Sequence, residues 1–255
     1  MFENKKTEYE TSKLFREKYR EALDKLTELK SVPNKPSNLP TSIHILGPSR
    51  SGKSTLESIL GILPDVHCGF ESPILKNVTQ TTYMEAGLPI HLYAFQLPRS
   101  TDAIYLDLYK KDITSRVGEK SFFTSTNPGR IYDIYQMARI IPNMRVVFVK
   151  RDIDDVIYRM YRTLYRKGKA YSYNLDAARE YVKWYYSMQD KYVELLPHLT
   201  MTINYEDLVA NPLDVSSEVR KFCNIPSEFT ELPNIGDDRG ASKNFNKFLE
   251  KRSDD

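Results

Sequence analysis

Cysteine is nearly missing from this chain of 255 residues: Cys68 and Cys223 are the only two, too few for a framework of several disulfides. Both lie in stretches that read as ordinary buried thiols, so a reducing, cytoplasmic setting is the expectation. Histidine is scarce as well, with four residues. His67 stands directly beside Cys68, too close for a standard zinc motif, and no Ser/His/Asp arrangement emerges. No apolar run approaches the roughly eighteen residues that a membrane-spanning helix needs. The opening "MFENKKTEYE" is polar and lacks the apolar stretch of a secretory signal. Charge of one sign is missing too: 37 Lys and Arg against 34 Asp and Glu leave a net charge of +3. No global field therefore draws the protein to nucleic acid, and anion recognition has to come from local clusters. There is no internal repeat and no low-complexity tract. What remains is an ordinary globular composition, 40% hydrophobic and 28% charged. The length suits one α/β domain with a real core and a modest appendage.

Residues 7–30 place Leu14, Phe15, Tyr19, Leu23, Leu26 and Leu29 at helical spacing among Lys, Glu and Arg, which predicts an amphipathic helix. Three prolines in "SVPNKPSNLP" then stop it. The expected organisation is an N-terminal helix and Pro-rich linker over residues 1–40, followed by one domain over 41–255. The helix either packs on the outside of that domain or serves as a partner-binding arm. In the domain, short buried strands are expected at "SIHILG", "PDVHCG", "PIHLYAF", "KSFFTSTN", "RVVFVKRD" and "LTMTINYED", with helices at 53–63, at "GRIYDIYQMARII", over the long region to about residue 196, and at "VANPLDVSSEVRKFCNI". "STDAIYLDLYKKDI" carries no firm assignment. Strands alternating with helices predict a parallel sheet covered on both faces, with ligands at the carboxyl ends of the strands. The glycine loop, "KRD" and "YED" all fall at such ends.

"GPSRSGKST", residues 47–55, follows the first strand and opens a helix. Gly47 and Gly52 relax the backbone so that successive N–H groups can face one anion, and the helix adds its positive end. Arg50 and Lys53 can neutralise charge, while Ser51, Ser54 and Thr55 offer hydroxyls. The stretch fits G-x-x-x-x-G-K-[ST], which points to a nucleoside triphosphate and magnesium. It also fits S-R-S-G-x-[ST]-T, the spelling of enzymes that hold a different phosphate donor. The first strand that could bring a metal carboxylate, "VVFV", meets Lys150 and Arg151 before Asp152, and those cations suit a second phosphate. Glu206 and Asp207 in "INYED" leave a metal site open.

Three blocks in order carry a family resemblance. "GPSRSGKSTLESILGILPDVHCGFES" resembles the opening of the sulfotransferases, above all the tyrosylprotein branch, which reads approximately G-x-P-R-S-G-T-T-L…P-D-I-R-C-G-E-E-T. "VVFVKRDIDDVIYRMY" is similar to the family's strand and 3′-phosphate segment, and "INYEDLVANP" to R-Y-E-D-L-V-x-x-P. The likeness runs from about Ile43 to Pro226. It implies a P-loop-type three-layer α/β fold: a central parallel sheet flanked by helices, with the N-terminal helix added. It also implies the donor 3′-phosphoadenosine 5′-phosphosulfate (PAPS), released as 3′,5′-adenosine bisphosphate, with no metal required.

On this resemblance Arg50, Ser51, Gly52, Lys53, Ser54 and Thr55 cradle the 5′-phosphosulfate, and Arg151 pairs with the 3′-phosphate through its guanidinium fork. Without it, Arg151 would be an ion-pair partner of Asp152 or Asp154. Tyr205 matches the family tyrosine near the adenine, or else is a core aromatic. Glu71 falls where the tyrosylprotein branch has its catalytic glutamate and is the expected general base; otherwise it is a helix-start carboxylate. His91 is the histidine alternative for that role, whereas His44 reads as core. The loose basic segment with Arg239, Gly240 and Lys243 would close over the donor. Two departures stand out. Arg159 occupies the position of the family serine eight residues after the arginine. Thr126 stands where the branch has a lysine at the transferring group, so Lys53 is expected to supply that charge.

The acceptor is a hydroxyl group of unspecified class: tyrosyl, glycan or small molecule. Eight tyrosines among cations between Tyr158 and Tyr186 could line an acceptor groove or form the buried face of a helix pair. The alternatives to a sulfotransferase are a P-loop kinase using Mg-ATP and a non-catalytic nucleotide or nucleic-acid binder.

Overall fold

The computed structural model describes residues 2–27, 38–69, 71, 76–89, 96–163 and 169–233. Nearly all of "PIHLYAF", with His91, and the segment with Arg239, Gly240 and Lys243 lie outside the described residues.

Five strands form one sheet in the order β2-β3-β1-β4-β5: β1 Thr41–Leu46, β2 Val66–Cys68, β3 Phe122–Ser125, β4 Met144–Lys150 and β5 Thr200–Asn204. Every neighbouring pair is parallel. Side-chain alternation divides the core into two layers. Val146 and Phe148 of β4, with Leu46 of β1, face one side; Val147, Val149, Ile43 and Ile45 face the other. The first side is covered by α3 (Lys76–Glu85), α4 (Asp102–Val117), α5 (Ile134–Ile140), α6 (Ile153–Tyr161) and α7 (Leu175–Leu195), and the second by α2 (Lys53–Leu60), α8 (Tyr205–Ala210) and α9 (Pro212–Phe222). The expected three-layer α/β architecture is therefore the observed one.

Several boundaries differ from the sequence expectation, each for a local reason. The unassigned stretch is α4, whose Tyr105, Tyr109, Ile113 and Val117 recur every fourth residue and are all buried. Ile104, Leu106 and Leu108 on its other faces are half-buried and blur that stripe in the sequence. "GRIYDIYQMARII" is two pieces: a 3₁₀ turn, Pro128–Tyr132, and then α5. At the break, Asp133 has φ −112° and its buried carboxylate pairs with Arg130 Nη1 at 2.6 Å. Tyr205 belongs to a helix, not a strand: Asn204 is the N-cap of α8, and Asn211 separates α8 from α9, which opens on Pro212.

The N-terminal helix α1, Phe2–Leu23, starts and ends earlier than its apolar pattern suggests. It lies on α7 and on the 3₁₀ turn Ala170–Tyr173. Tyr19 and Leu23 are fully buried in the first core layer, and Tyr19 hydrogen-bonds the Tyr192 hydroxyl and donates to the Ile131 carbonyl at 3.1 Å. Trp184 Nε1 donates to the Arg16 carbonyl at 3.2 Å, and the Arg16 guanidinium sits 5.5–5.8 Å from the rings of Tyr9, Tyr181 and Trp184. Tyr181 and Tyr185 of the tyrosine-rich stretch are thus on the buried face of α7, which receives α1, and Tyr171 on the 3₁₀ turn is buried beside them.

This packing makes α1 part of the folded unit. Leu23→Ala should lower unfolding free energy by about 3 kcal/mol, because it empties a closed site. Leu14→Ala, at a side chain 52% exposed, should change it by less than about 0.5 kcal/mol. Urea denaturation of both variants checks the contrast; equal effects would place α1 outside the core.

Candidate active site

Strand register brings the three sequence blocks together. Leu46 pairs with Phe148, so β1 ends early and the loop turns away beside Val149. A Cβ at Gly47 would meet Ser51 Oγ and lie 2.7 Å from the Val149 carbonyl, so the approach requires glycine. Lys150 pairs with Asn204, the last residue of each strand, which makes Arg151 and Tyr205 neighbours. At the far end of the loop Gly52 has φ 99° and is the N-cap of α2. Any side chain there would overlap the Tyr205 ring.

The Arg151 guanidinium lies over the other part of this assembly, 4.2 Å from the Tyr205 ring centroid. Loop backbone, aromatic ring and guanidinium are thereby held in sequence. Arg151 is 5% exposed and reaches Asp155 Oδ2 at 3.4 Å. Its backbone is fixed by the Tyr186 hydroxyl, which accepts from Arg151 N–H at 2.9 Å and donates to its carbonyl at 2.7 Å. Arg159, one turn beyond Asp155 on α6, is half-buried. Burial raises the Asp155 pKa, and Arg151 and Arg159 both oppose that rise. Residues 151, 155 and 159 thus share one face.

In the loop, Lys53 is 5% exposed and donates through Nζ to the Pro48 carbonyl at 2.8 Å. Burial pulls its pKa down to about 7; Glu71 draws it back up, while Lys169 and Arg50 push it lower. Glu71 itself is exposed. Arg50 adopts φ 68°, unusual for a residue with a Cβ. Ser51 Oγ is buried without a hydrogen-bond partner among the described residues, whereas Ser54 is exposed and Thr55 half-buried. Thr126 is buried. These loop residues form a cradle of N–H groups and hydroxyls with cations beside it, which suits an anionic group.

Two features were missed in the sequence. Lys169, in the tyrosine-rich stretch between Tyr158 and Tyr186, brings Nζ to 3.4 Å from Ser49 Oγ on the loop. Glu57, on the buried face of α2, accepts a hydrogen bond from Thr124 Oγ1 at 2.5 Å. The helical position of Glu57, four residues after Lys53, was the available signal for its placement behind the loop; nothing in sequence spacing links Lys169 to Ser49. The carboxylates open to a metal in the sequence have other contacts here: Glu206 Oε1 accepts from Asp152 N–H at 2.9 Å, and Asp207 Oδ2 from Asn204 Nδ2 at 3.0 Å. His44 is fully buried and held neutral, its pKa lowered to about 3 by burial and by Arg130.

Fold and site together define an α/β protein with a glycine loop, a candidate anion site, at the carboxyl ends of a parallel sheet. A family model described as the Sulfotransferase family matches residues 40–231, and the chain belongs to that family. Protein-tyrosine sulfotransferase 1 of Danio rerio is 22% identical over 191 residues, which are 72% of this chain and 53% of the relative. The chain thus spans about half the length of that relative. Among solved structures, a sulfotransferase from Alicyclobacillus acidocaldarius aligns with TM-score 0.52 and 13% identity, covering 84% of this chain and 93% of the other. The sulfotransferase domain of the Synechococcus PCC 7002 olefin synthase gives 0.51 and 16%, covering 80% and 78%. Both share this fold.

The buried Lys53 has a consequence for pH. Its folded pKa, about 7, lies below the ordinary 10.5 of the unfolded chain. The unfolded state therefore holds the extra proton between those values, and stability should rise with pH across that window. An anion in the loop should restore the charge, so binding of phosphate-type ligands at pH 8 should take up a proton. Calorimetry in buffers of different ionisation enthalpy checks this. The uptake should vanish in Lys53→Met, and an unchanged uptake there would assign the proton elsewhere.

Proposed function

We propose that the protein transfers the sulfuryl group of PAPS to an acceptor hydroxyl. The observation that carries this reading is the Gly52–Tyr205–Arg151 assembly, which holds a buried guanidinium one ring away from the phosphate loop. A cation-bearing loop and a second guanidinium on the neighbouring ring suit a nucleotide phosphorylated at both ends of its ribose. A nucleoside triphosphate has no second phosphate end to occupy Arg151. The Ser51 hydroxyl, without a partner among the described residues, and the cations around the loop fit the phosphosulfate end. Membership of the sulfotransferase family supports the same donor.

When bound, the donor supplies an activated sulfuryl group and leaves as 3′,5′-adenosine bisphosphate. Arg50, Lys53, Ser54, Thr55 and the loop N–H groups bind its phosphosulfate, with Ser51 and Gly52 shaping the cradle. Arg151, assisted by Arg159, holds the 3′-phosphate, and Tyr205 supports the nucleotide between the two sites. Glu71 takes the proton from the acceptor hydroxyl. Its carboxylate draws the Lys53 pKa upward, which supports a position near the loop. Lys53 holds negative charge on the leaving phosphate oxygen, the task left by Thr126. Arg239, Gly240 and Lys243 would add closing contacts. No step needs a metal. The acceptor stays unspecified beyond its hydroxyl.

Among the described residues no helix is long and apolar enough to cross a membrane. The two cysteines are unpaired, which supports the cytoplasmic assignment.

Thermal shift tests the donor. Adenosine 3′,5′-bisphosphate should stabilise the protein without metal, and Arg151→Ala should weaken its affinity about a hundredfold by removing a charge-assisted pair. Stabilisation by ATP with magnesium and none by the bisphosphate would sink the proposal in favour of a kinase. Glu71→Gln should lower turnover by roughly two to four orders of magnitude, as loss of a general base does. Bisphosphate binding should stay as in the unaltered protein; full turnover would remove Glu71 from the role.

A further inference from the structure

We propose that Lys169 is a donor-binding residue, closing over the rim of the glycine loop at Ser49 and contacting the phosphate-end anion held there. The inference rests on the anion-loop part of the reading above and adds a residue from outside the three motif blocks.

Three observations carry it. The Lys169 ammonium lies 3.4 Å from Ser49 Oγ, a contact 120 residues apart in sequence. Its charge reaches the loop interior, where it and Arg50 both push the Lys53 proton off. Lys169 thus adds a third cation beside Arg50 and Lys53 of the loop; Glu71 and Glu57 offset part of their mutual repulsion, and an anion bound there would offset more. The third observation is how firmly the residue is mounted. Its carbonyl accepts from Ser172 N at 3.0 Å and from Ser172 Oγ at 2.8 Å. Ala170 and Tyr171 beside it are buried, and the Tyr171 ring stacks on Tyr181 of α7 at 3.8 Å and 4°. The base of the side chain is anchored in the aromatic layer, while the half-buried ammonium points to the loop.

A cation fixed this way loses little freedom when it binds, so its contact should contribute more than a mobile surface lysine would. Its contact is with Ser49 on the loop, whereas the Arg151 guanidinium lies on the Tyr205 ring, so the two act on different parts of the ligand.

The test compares the unaltered protein with Lys169→Met, Lys169→Arg and Arg151→Ala in calorimetric titrations. The probes are adenosine 3′,5′-bisphosphate and pyrophosphate, the second of which needs only the loop. Lys169→Met should weaken both ligands about tenfold, as loss of one charged hydrogen bond does. Lys169→Arg should recover most of that loss, and Arg151→Ala should weaken the bisphosphate alone. The melting temperature of ligand-free Lys169→Met should not fall, which separates binding from a structural role. Unchanged pyrophosphate affinity in Lys169→Met, or no pyrophosphate binding by the unaltered protein, overturns the assignment. Failure of the bisphosphate alone to bind overturns the PAPS reading, while pyrophosphate still measures Lys169.

Discussion

A glycine at position 52 lets the Tyr205 ring lie directly against the phosphate loop, and much of the site follows from that contact. The backbone there has a positive φ, and a Cβ would occupy the space of the ring. Because Tyr205 fills that space, the end of β5 is locked to the loop after β1. Because β4 runs in register with β5, Arg151 comes to rest on the same ring. One absent side chain thus couples three strand ends. The Tyr186 hydroxyl reinforces the coupling by holding both backbone groups of Arg151.

Charge is distributed with the same economy. The chain as a whole is close to neutral, yet Arg50, Lys53 and Lys169 act on one another at the loop. Burial of Lys53 opposes its own charge, and the nearby cations add to that effect. Glu71 is the carboxylate that counteracts them most. On the proposed reading this charge is set out for an anion in advance, and preorganised charge needs little rearrangement at the moment of reaction.

The aromatic layer supplies rigidity to that arrangement. Tyr181, Tyr185 and Tyr192 of α7 are buried, and α1 lays Tyr19 and Arg16 against the same face. A stretch rich in tyrosine and cations is therefore mostly a packing surface, with Lys169 as its outward extension to the loop. Tyrosine serves here because its ring fills the layer while its hydroxyl finds partners such as the Pro128 and Arg151 carbonyls.

The sequence by itself determined the class of fold, because continuous apolar runs such as "VVFV" belong in a two-sided parallel sheet and glycines between strand and helix belong to an anion loop. It also marked Arg50, Lys53 and Arg151 as the cations to follow, since their type and position are local properties. It could not mark α4, whose apolar residues are spread around the helix, nor the break at Asp133, which depends on a buried pair with Arg130. For Tyr205 it left two readings, ligand neighbour or core residue. Only the tertiary structure decided that its ring is buried and also lies on the loop, between Gly52 and Arg151. Only the tertiary structure brought Lys169 to Ser49, because a contact between residues so far apart in the chain is set by how α6 and α7 pack, and no local pattern encodes it.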